Sequence, residues 1–251
     1  MDIVYNTINI PMEEQAYNNP ILEYEEPSFE QKQKAREDDY FVKLTFYITY
    51  VFLMTTATIT FIEAITTDDI RARHILNLET CISVIATFFY SKFIKQLDEG
   101  VDYKQININR YTDWMITTPL MLLVLCLVFV YNSESKLRLG TYFVILVLNL
   151  GMILTGYLGE VGQLDKYVAN IGGFLFFSLL FGYIYKIFLH KKYNFDNMLI
   201  FSSFFVLWAF YGVFYEFDEK VKNISFNILD LFAKCFVGIF FWAYFTKTFT
   251  L

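Results

Sequence analysis

Charged residues are scarce in this chain of 251 residues. Lys, Arg, Asp and Glu together make up 18% of it, against 56% hydrophobic residues, whereas soluble domains usually carry about 25% charged residues. This balance argues against an ordinary soluble domain and indicates a protein whose solvent is lipid. The 29 Phe and 19 Tyr residues suit lipid-facing surfaces, interfacial belts and the walls of an apolar ligand pocket.

Cysteine is also rare. The three cysteines, Cys81, Cys126 and Cys235, lie inside apolar stretches and show neither a CxxC motif nor another metal-ligand spacing. We interpret them as small packing residues and expect no metal site.

The first 38 residues lack the features of a signal peptide or of a nucleic-acid-binding arm. No basic segment precedes an apolar run, so insertion into a membrane should depend on the first spanning helix. Acidic residues outnumber basic ones, so no nucleic-acid partner is expected. Pro11, Pro20 and Pro27 suit a loosely ordered polar tail, although Glu30–Arg36 could form a short surface helix. We predict a polar acidic tail over residues 1–38 and one domain over residues 39–251.

Long apolar runs are what the chain has in abundance. Seven runs approach the roughly 20 residues that a helix needs to cross a bilayer, with short polar connections between them. They cover approximately Tyr40–Ile65, Ile75–Phe93, Tyr111–Tyr131, Leu139–Leu158, Tyr167–Leu189, Met198–Phe217 and Ile224–Phe245. The predicted fold class is an all-α membrane protein, a bundle of seven transmembrane helices. The Lys and Arg content of the connections does not set its orientation.

Four charged residues fall inside the predicted spans. They are Glu79 in the second, Asp113 in the third, and Asp230 with Lys234 in the seventh. An unpaired charge in the middle of a bilayer costs several kcal/mol, so each of these residues is a candidate for function. Asp230 and Lys234 are four residues apart and therefore share one face of a helix. This pair alone fits a structural ion pair equally well.

The third span carries a highly specific motif. Arg110 to Leu120 has the sequence RYTDWMITTPL, which closely resembles the third-helix signature of the microbial (type 1) rhodopsins, R-Y-x-D-W-x-x-T-T-P-L. In the seventh span, Leu229 to Lys234 has the sequence LDLFAK and resembles the family's L-D-x-x-A-K segment, where retinal is attached. The resemblance extends from the first span to the last, and it implies an N-terminus outside and a cytoplasmic C-terminus.

The resemblance implies a role for each charged residue of the two motifs. Lys234 would bind all-trans retinal as a Schiff base, because a desolvated amine suits attack on an aldehyde. Asp113 and Asp230 would be its two-carboxylate counterion. Thr117 would hydrogen-bond Asp113 and hold its rotamer. Arg110 would balance the remaining negative charge on the extracellular side.

The resemblance also implies a retinal pocket. Trp114 and Trp208 would sandwich the polyene, Tyr90 and Tyr211 could donate hydrogen bonds to the counterions, and Thr118 with Asn149 would link the third and fourth helices. Further residues would line the length and the ring end of the pocket: Tyr211, Tyr215, Met121, Met152, Gly156 and Phe177.

One departure from the proton-pumping members of the family bears on mechanism. The position two turns beyond Thr117, where those pumps carry an acidic proton donor, is Val124, which cannot hold a proton. Glu79 lies in the cytoplasmic half of the second span when Ala86 and Tyr90 are used for alignment. A carboxyl group buried there should stay protonated in the dark, as a donor requires. The alternative is a glutamate whose side chain reaches the interface.

Three functions remain open from the sequence, and none of them is enzymatic. An outward proton pump is favoured by Asp113, Thr117 and Arg110, with Glu79 as a substitute donor. A light-gated cation channel is favoured by the missing donor and by the glutamate in the second helix, a feature of channel-forming relatives that include those of giant viruses of algae. A photosensor is disfavoured because the chain shows no output domain, although a soluble partner could still contact the loops. We expect a homo-oligomer in a lipid bilayer, transporting protons or small cations.

Overall fold

The computed structural model describes residues 29–190 and 193–246, with side chains from Asp39 onward. The chain divides into two units, Met1–Glu37 and Asp38–Leu251. The tail predicted over residues 1–38 falls outside the described residues as far as residue 28. All side chains discussed below belong to the second unit.

Seven helices form the described part of the chain. They are α1 (Phe29–Thr66), α2 (Ile70–Asp98), α3 (Tyr103–Asn132), α4 (Leu139–Glu160), α5 (Lys166–Leu189), α6 (Phe195–Phe214) and α7 (Glu219–Phe245). Two segments within them are π-helical, namely Tyr185–Leu189 at the end of α5 and Leu231–Phe236 in the middle of α7. The short connections make consecutive helices antiparallel, as in other bundles.

Six of these helices are long and apolar enough to cross a membrane. Even α6, with 20 residues, is about 30 Å long, which matches the thickness of the hydrocarbon layer. The exception is α2, because Asn77, Glu79 and Thr80 interrupt its apolar stretch. Large apolar side chains cover the outer faces of the bundle, including Phe61, Phe88, Phe143, Ile171, Leu175 and Leu179. These faces suit contact with lipid tails.

The two helices that carry the sequence motifs are the most enclosed. In α3 and α7, 56% of the apolar span is buried, compared with 17–28% in α1, α4, α5 and α6. α3 contacts α2, α4, α6 and α7. Polar side chains on α3 and α7 are therefore shielded from lipid and can meet one another inside the bundle.

The helices extend beyond the apolar runs that predict them. Hydropathy marks only the part of a helix that lies in hydrocarbon, whereas polar first turns are stabilised by capping. Asp and Asn side chains accept hydrogen bonds from backbone N–H groups at the starts of α2, α3, α5, α6 and α7, namely Asp69, Asp102, Asp165, Asn194 and Asp218. Between the apolar runs Ile75–Phe93 and Tyr111–Tyr131, for example, only residues 99–102 lie outside a helix.

Candidate functional site

A buried charge cluster lies where α3 meets α7. The Nζ atom of Lys234 lies 2.7 Å from Oδ2 of Asp113 and 3.3 Å from Oδ2 of Asp230. The two carboxylates are fully buried and Lys234 is 2% exposed. Lys234 sits in the π-helical segment of α7, a backbone form that is frequent at functional sites. The two motifs thus meet at one amine between two carboxylates.

Arg110 completes the charge balance of this cluster. Its side chain is fully buried, and Nη1 lies 3.6 Å from Oδ2 of Asp230. Lys234 and Arg110 oppose Asp113 and Asp230, so the four groups are formally neutral. A neutral set of this kind avoids the large cost of an uncompensated buried charge.

Two tyrosines hold Asp230 from either side. Tyr90 donates its hydroxyl to Oδ2 of Asp230 at 2.9 Å, and Tyr211 donates to Oδ1 at 2.6 Å. Both predicted tyrosine donors therefore serve Asp230 rather than Asp113. Oδ1 of Asp113 has no hydrogen-bond partner among the described residues. The two carboxylates of the cluster are thus unequal: four side chains contact that of Asp230, whereas Lys234 is the only hydrogen-bonding partner of the Asp113 carboxylate among the described residues.

Thr117 differs from its expected role. Its hydroxyl donates to the main-chain carbonyl of Asp113 at 2.9 Å and not to the carboxylate. A threonine inside a helix commonly bonds the carbonyl four residues earlier, and here this local bond is the one that forms.

An apolar cavity begins at Lys234 and runs between α3, α4, α5 and α6. Ten of the predicted residues line it: Lys234, Trp114, Thr118, Met121, Met152, Gly156, Phe177, Trp208, Tyr211 and Tyr215. The remaining two lie beside it. Tyr90 bonds Asp230, and Asn149 donates its Nδ2 to Oγ1 of Thr118 at 2.9 Å. The residues predicted to line the pocket and the residues of the charge cluster therefore form one continuous site.

Several cavity residues were not predicted from the motifs. They are Tyr111, Ile153, Ala169, Asn170, Gly173, Phe174, Gly212 and Phe226; Asp230, which the seventh-helix motif predicts as a counterion, also lines the cavity. Small residues shape its width: a Cβ atom on Gly156 would lie 2.9 Å from the hydroxyl of Tyr111, and one on Gly212 would lie 2.6 Å from the ring of Phe174. The helical spacing of Gly173 and Phe174 from Phe177 is a signal that could have found them.

The cavity fits an elongated apolar molecule with a carbonyl group at one end. Aromatic and sulfur-containing side chains form its walls, and the primary amine of Lys234 stands at one end. The unpartnered Oδ1 of Asp113 beside that amine leaves an acceptor free for a further hydrogen bond. An aldehyde that condenses with Lys234 would leave a nitrogen between two carboxylates, which stabilise it when it is protonated.

Glu79 lies on the other side of Lys234 from Arg110. It is 2% exposed and makes no hydrogen bond or ion pair with the described residues. Its Oε2 lies 3.2 Å from the position that a Cβ atom on Gly238 would take, one turn beyond Lys234 in α7. Ser83, one turn along α2 from Glu79, has a buried hydroxyl without a hydrogen-bond partner among the described residues. Val124 is fully buried.

We call this part of the bundle, from Lys234 to the end of α7, the glutamate half. The part from Lys234 to the start of α7 is the arginine half. Hydrogen bonds fill the arginine half: Arg110 Nη2 donates to Oδ1 of Asn227 at 2.8 Å and to Oδ1 of Asn223 at 3.3 Å. Asn223 is fully buried and donates its Nδ2 to the main-chain oxygen of Glu219 at 2.8 Å.

The arginine half ends in a second charge cluster, which the motifs do not predict. Lys222 is 1% exposed and contacts Glu160 at the end of α4 and Glu219 at the start of α7. Asn107 donates its Nδ2 to Oε2 of Glu219 at 2.6 Å. In the sequence, the signal is an amphipathic first turn of α7 that places Lys222 and Asn223 on its buried face.

A family model described as "Bacteriorhodopsin-like protein" matches residues 41–248 of the chain. Among solved structures, the viral rhodopsin OLPVRII is 52% identical, with a TM-score of 0.80, and the match covers 83% of this chain and 99% of that chain. A search of curated proteins found no match.

Two more distant structures show the same fold. The blue light-absorbing proteorhodopsin from Med12 is 21% identical, with a TM-score of 0.68 and coverage of 83% of this chain and 98% of that chain. The bromide-bound halorhodopsin of Halobacterium salinarum is 15% identical, with a TM-score of 0.71 and coverage of 84% and 96%. At these identities the likeness concerns the fold alone.

Proposed function

Because the chain belongs to the bacteriorhodopsin-like family, the microbial rhodopsins, we propose that it is a light-driven outward proton pump that binds all-trans retinal covalently on Lys234. The observation that carries this proposal is the position of Lys234 Nζ, 2.7 Å from Asp113 Oδ2 at one end of an apolar cavity. Retinal, when bound, supplies the visible absorption and the light-driven isomerisation. We further propose that the arginine half faces the outside and the glutamate half the cytoplasm.

Asp113 is the proposed primary proton acceptor. It is the nearer carboxylate to Lys234 Nζ, and its Oδ1 has no competing donor among the described residues. Asp230 already accepts hydrogen bonds from Tyr90 and Tyr211, so its charge is better stabilised and it is the poorer acceptor. A proton on Lys234 Nζ therefore has one favoured destination, Oδ2 of Asp113.

Proton transfer to Asp113 changes the electrostatics of Arg110. When Asp113 is neutral, Asp230 is the one carboxylate of the Lys234 charge cluster that still opposes the charge of Arg110. Its hydrogen bonds to Asn223 and Asn227 lead toward Glu219 and the surface. The polar groups of the arginine half support an exit path for a proton on this side.

Glu79 is the proposed donor that returns a proton to Lys234 Nζ. It lies about one turn along α7 from Lys234, and its carboxyl group makes no ion pair with the described residues that would keep it charged. The hydroxyl of Ser83, which has no partner among the described residues, could hold water between Glu79 and Lys234. Asp113 and Glu79 thus lie on opposite sides of the amine, the arrangement that directional transport requires.

A light-gated cation channel is the second candidate. Buried polar side chains continue along the contact of α1, α2 and α7: Thr49 donates to the main-chain oxygen of Asn227 at 3.1 Å, and Thr60 and Thr80 hydroxyls lie 2.9 Å apart. With Glu79, these groups would line a path beside Lys234 rather than through it.

We also propose that the protein forms a homo-oligomer. Cross-linking in membranes that yields only monomer would contradict this proposal.

An illuminated suspension of cells that express the protein separates the two candidates. A pump acidifies the medium, and a protonophore abolishes the signal. A channel allows only passive flow, so the medium should not acidify when no gradient is imposed. Acidification without a gradient supports the pump, and its absence in cells with a normal visible band contradicts it.

A further inference from the structure

The second charge cluster has the geometry of an occupied cation site. Three carboxylate oxygens surround Lys222 Nζ: Oε1 and Oε2 of Glu160 at 3.0 and 3.2 Å, and Oε1 of Glu219 at 3.0 Å. The ring of Tyr215 covers the ammonium, with its centroid 5.4 Å from Nζ. These contacts use all three N–H donors of an ammonium group.

An unpartnered oxygen lies on the neighbouring side chain. Asn107 is 1% exposed and donates its Nδ2 to Glu219, but its Oδ1 has no partner among the described residues. A buried amide oxygen beside two carboxylates is a ligand that hard cations accept. The cluster therefore offers oxygen ligands beyond those that Lys222 uses.

The charge count points the same way. Glu160 and Glu219 carry two negative charges against the single charge of Lys222, so the groups in direct contact are formally one charge negative. The next cation is Lys166, which lies over the same Tyr215 ring at 5.7 Å from its centroid and forms no ion pair with either glutamate. Glu160 is 5% exposed, and a buried carboxylate without a counter-ion is strongly disfavoured. If the ammonium were absent, the two carboxylates would need either protons or a free cation in its place.

We propose that Lys222 is a tethered cation, which fills an ion site formed by Glu160 and Glu219 and so admits protons but not metal cations to the arginine half. The proposal rests on the proposed function in so far as it assigns an ion path to this half. It makes Lys222 a residue that determines ion specificity, separate from the residues that exchange a proton with Lys234.

Protons and metal cations meet this cluster differently. Glu219 is partly exposed, with 34% of its side chain accessible, so water reaches its carboxylate while Lys222 stays in place. A sodium ion must lose water and share the same oxygens with a fixed ammonium, which repels it. The selectivity for protons over metal cations therefore follows from the fixed ammonium of Lys222 and not from the width of the ion path.

The test uses the full-length protein in detergent without retinal, so it needs neither light nor transport. Lys222→Gln removes the charge and keeps a long polar side chain. Thermal unfolding is measured in increasing NaCl, with N-methyl-D-glucamine chloride added to keep ionic strength constant. We expect the unfolding temperature of the variant to rise by about 3 °C per tenfold increase in Na⁺ above the dissociation constant, and that of the unaltered protein to stay constant.

A double variant serves as the matched control. Glu160→Gln with Lys222→Gln removes one negative and one positive charge together, so the response to Na⁺ should disappear. An equal response in the double variant, or an unfolding temperature of Lys222→Gln that does not depend on Na⁺, would overturn the proposal. If Lys222→Gln folds only with Na⁺ present, the site is supported; if it fails to fold in both salts, the site does not accept a free cation and the proposal is wrong.

Transport separates this proposal from the proposed function. In the Lys222→Gln variant with retinal, part of the light-dependent current should be carried by Na⁺, whereas the unaltered protein should carry none. If the unaltered protein moves no protons but the variant gains Na⁺-dependent stability, the proposed function fails and the site stands. If protons are pumped and neither Na⁺ effect is seen, the site alone fails.

Discussion

The two halves of the bundle handle charge in opposite ways. In the arginine half, hydrogen bonds run from Lys234 through Asp230, Tyr90, Arg110 and Asn223 to the main-chain oxygen of Glu219. The glutamate half is built around an apolar cluster that includes Leu122, Val124 and Leu125, and Glu79 has no hydrogen-bonded partner among the described residues.

This difference suggests how one helix bundle can give direction to proton movement. A continuous polar network can pass a proton with small rearrangements, since its members already lie within hydrogen-bonding distance of one another. An isolated carboxyl group in apolar surroundings holds its proton until another group needs it. A proton that leaves through the arginine half is then replaced from the glutamate half.

Removing the amine at the junction should have the largest effect. Lys234→Ala deletes the only primary amine at the cavity's lined surface, so addition of all-trans retinal to the apoprotein should give no covalently linked visible band. Absorption spectroscopy with acid denaturation detects the linkage. A variant with a Schiff base of the same colour would place the attachment on another residue.

The next effect concerns the acceptor in the arginine half. Asp113→Asn removes the nearer negative charge, so less of the positive charge at Lys234 Nζ is compensated. The dark visible band should shift markedly, and part of it should convert to the near-ultraviolet form of an uncharged linkage at neutral pH. An unchanged band and pH titration would show that Asp113 is not a counterion.

Thr117 gives a matched control for that variant. Its hydroxyl bonds a main-chain oxygen, so Thr117→Val, which has nearly the same shape, should leave the dark band close to that of the unaltered protein. A shift as large as that of Asp113→Asn would restore the rotamer-holding role that the motif implies.

In the glutamate half, the change with the clearest effect is Glu79→Gln. The substitution keeps size and hydrogen bonding but removes the acidic proton, so return of the proton to Lys234 Nζ should slow by about 10²-fold or more. Flash spectroscopy measures the rate at which the proton returns to Lys234 Nζ, and in the variant this rate should also depend strongly on pH. Added azide, a small diffusible acid, should partly restore the rate.

Glu63 provides the control for Glu79. It lies in the last turns of α1 and is only partly buried, so Glu63→Gln should leave the recovery unchanged. If the proton returns to Lys234 Nζ as fast in Glu79→Gln as in the unaltered protein, water delivers the proton directly. If instead passive current falls and its selectivity changes in Glu79→Gln, the glutamate half lines a conduction path and the channel becomes the better account.

The smallest expected effect is on stability and concerns Asp69, at the end of the glutamate half where α2 begins. Asp69 caps α2 and accepts a hydrogen bond from Tyr131 at 3.0 Å. Burial raises the pKa of Asp69, but hydrogen bonds from Arg71 N–H, Tyr131 and Ala72 N–H, with the nearby Arg71 charge, bring it below its ordinary value. The stabilisation is therefore complete above about pH 4 and is lost as pH falls through the lower folded value.

Asp69→Ala should accordingly destabilise the protein by about 1 kcal/mol at neutral pH and by less near pH 3. Thermal unfolding at the two pH values measures the difference. Asp68→Ala, at the exposed neighbouring position, is the control. Equal effects of the two variants would show that capping by Asp69 contributes nothing.

The sequence predicts the centre of the molecule better than its ends. Seven apolar runs predict the bundle, and the motifs around Asp113 and Lys234 predict residues that do meet. Helix starts are predicted poorly from hydropathy, although the capping residues Asp102 and Asp218 mark two of them. Those polar first turns matter here, because they carry Asn107, Glu219 and Lys222.

The second charge cluster could not be predicted for a physical reason. Glu160 and Lys222 belong to different helices, and each alone looks like an ordinary polar residue at a helix end. Only the folded bundle brings the end of α4 and the start of α7 close enough for these two buried side chains to form an ion pair. Thr117 illustrates the same limit, since the choice between a carboxylate and a main-chain oxygen depends on local geometry that a motif does not contain.

The photocurrent at zero membrane potential, with identical solutions on both sides, tests the direction of transport most directly. If the two halves act as acceptor side and donor side, continuous light should give a steady outward current that is carried by protons, persists when Na⁺ and K⁺ are replaced by N-methyl-D-glucamine, and nearly vanishes in Asp113→Asn. A current that is absent at zero potential and appears only with an imposed gradient, reversing sign when the gradient is reversed, would contradict the account.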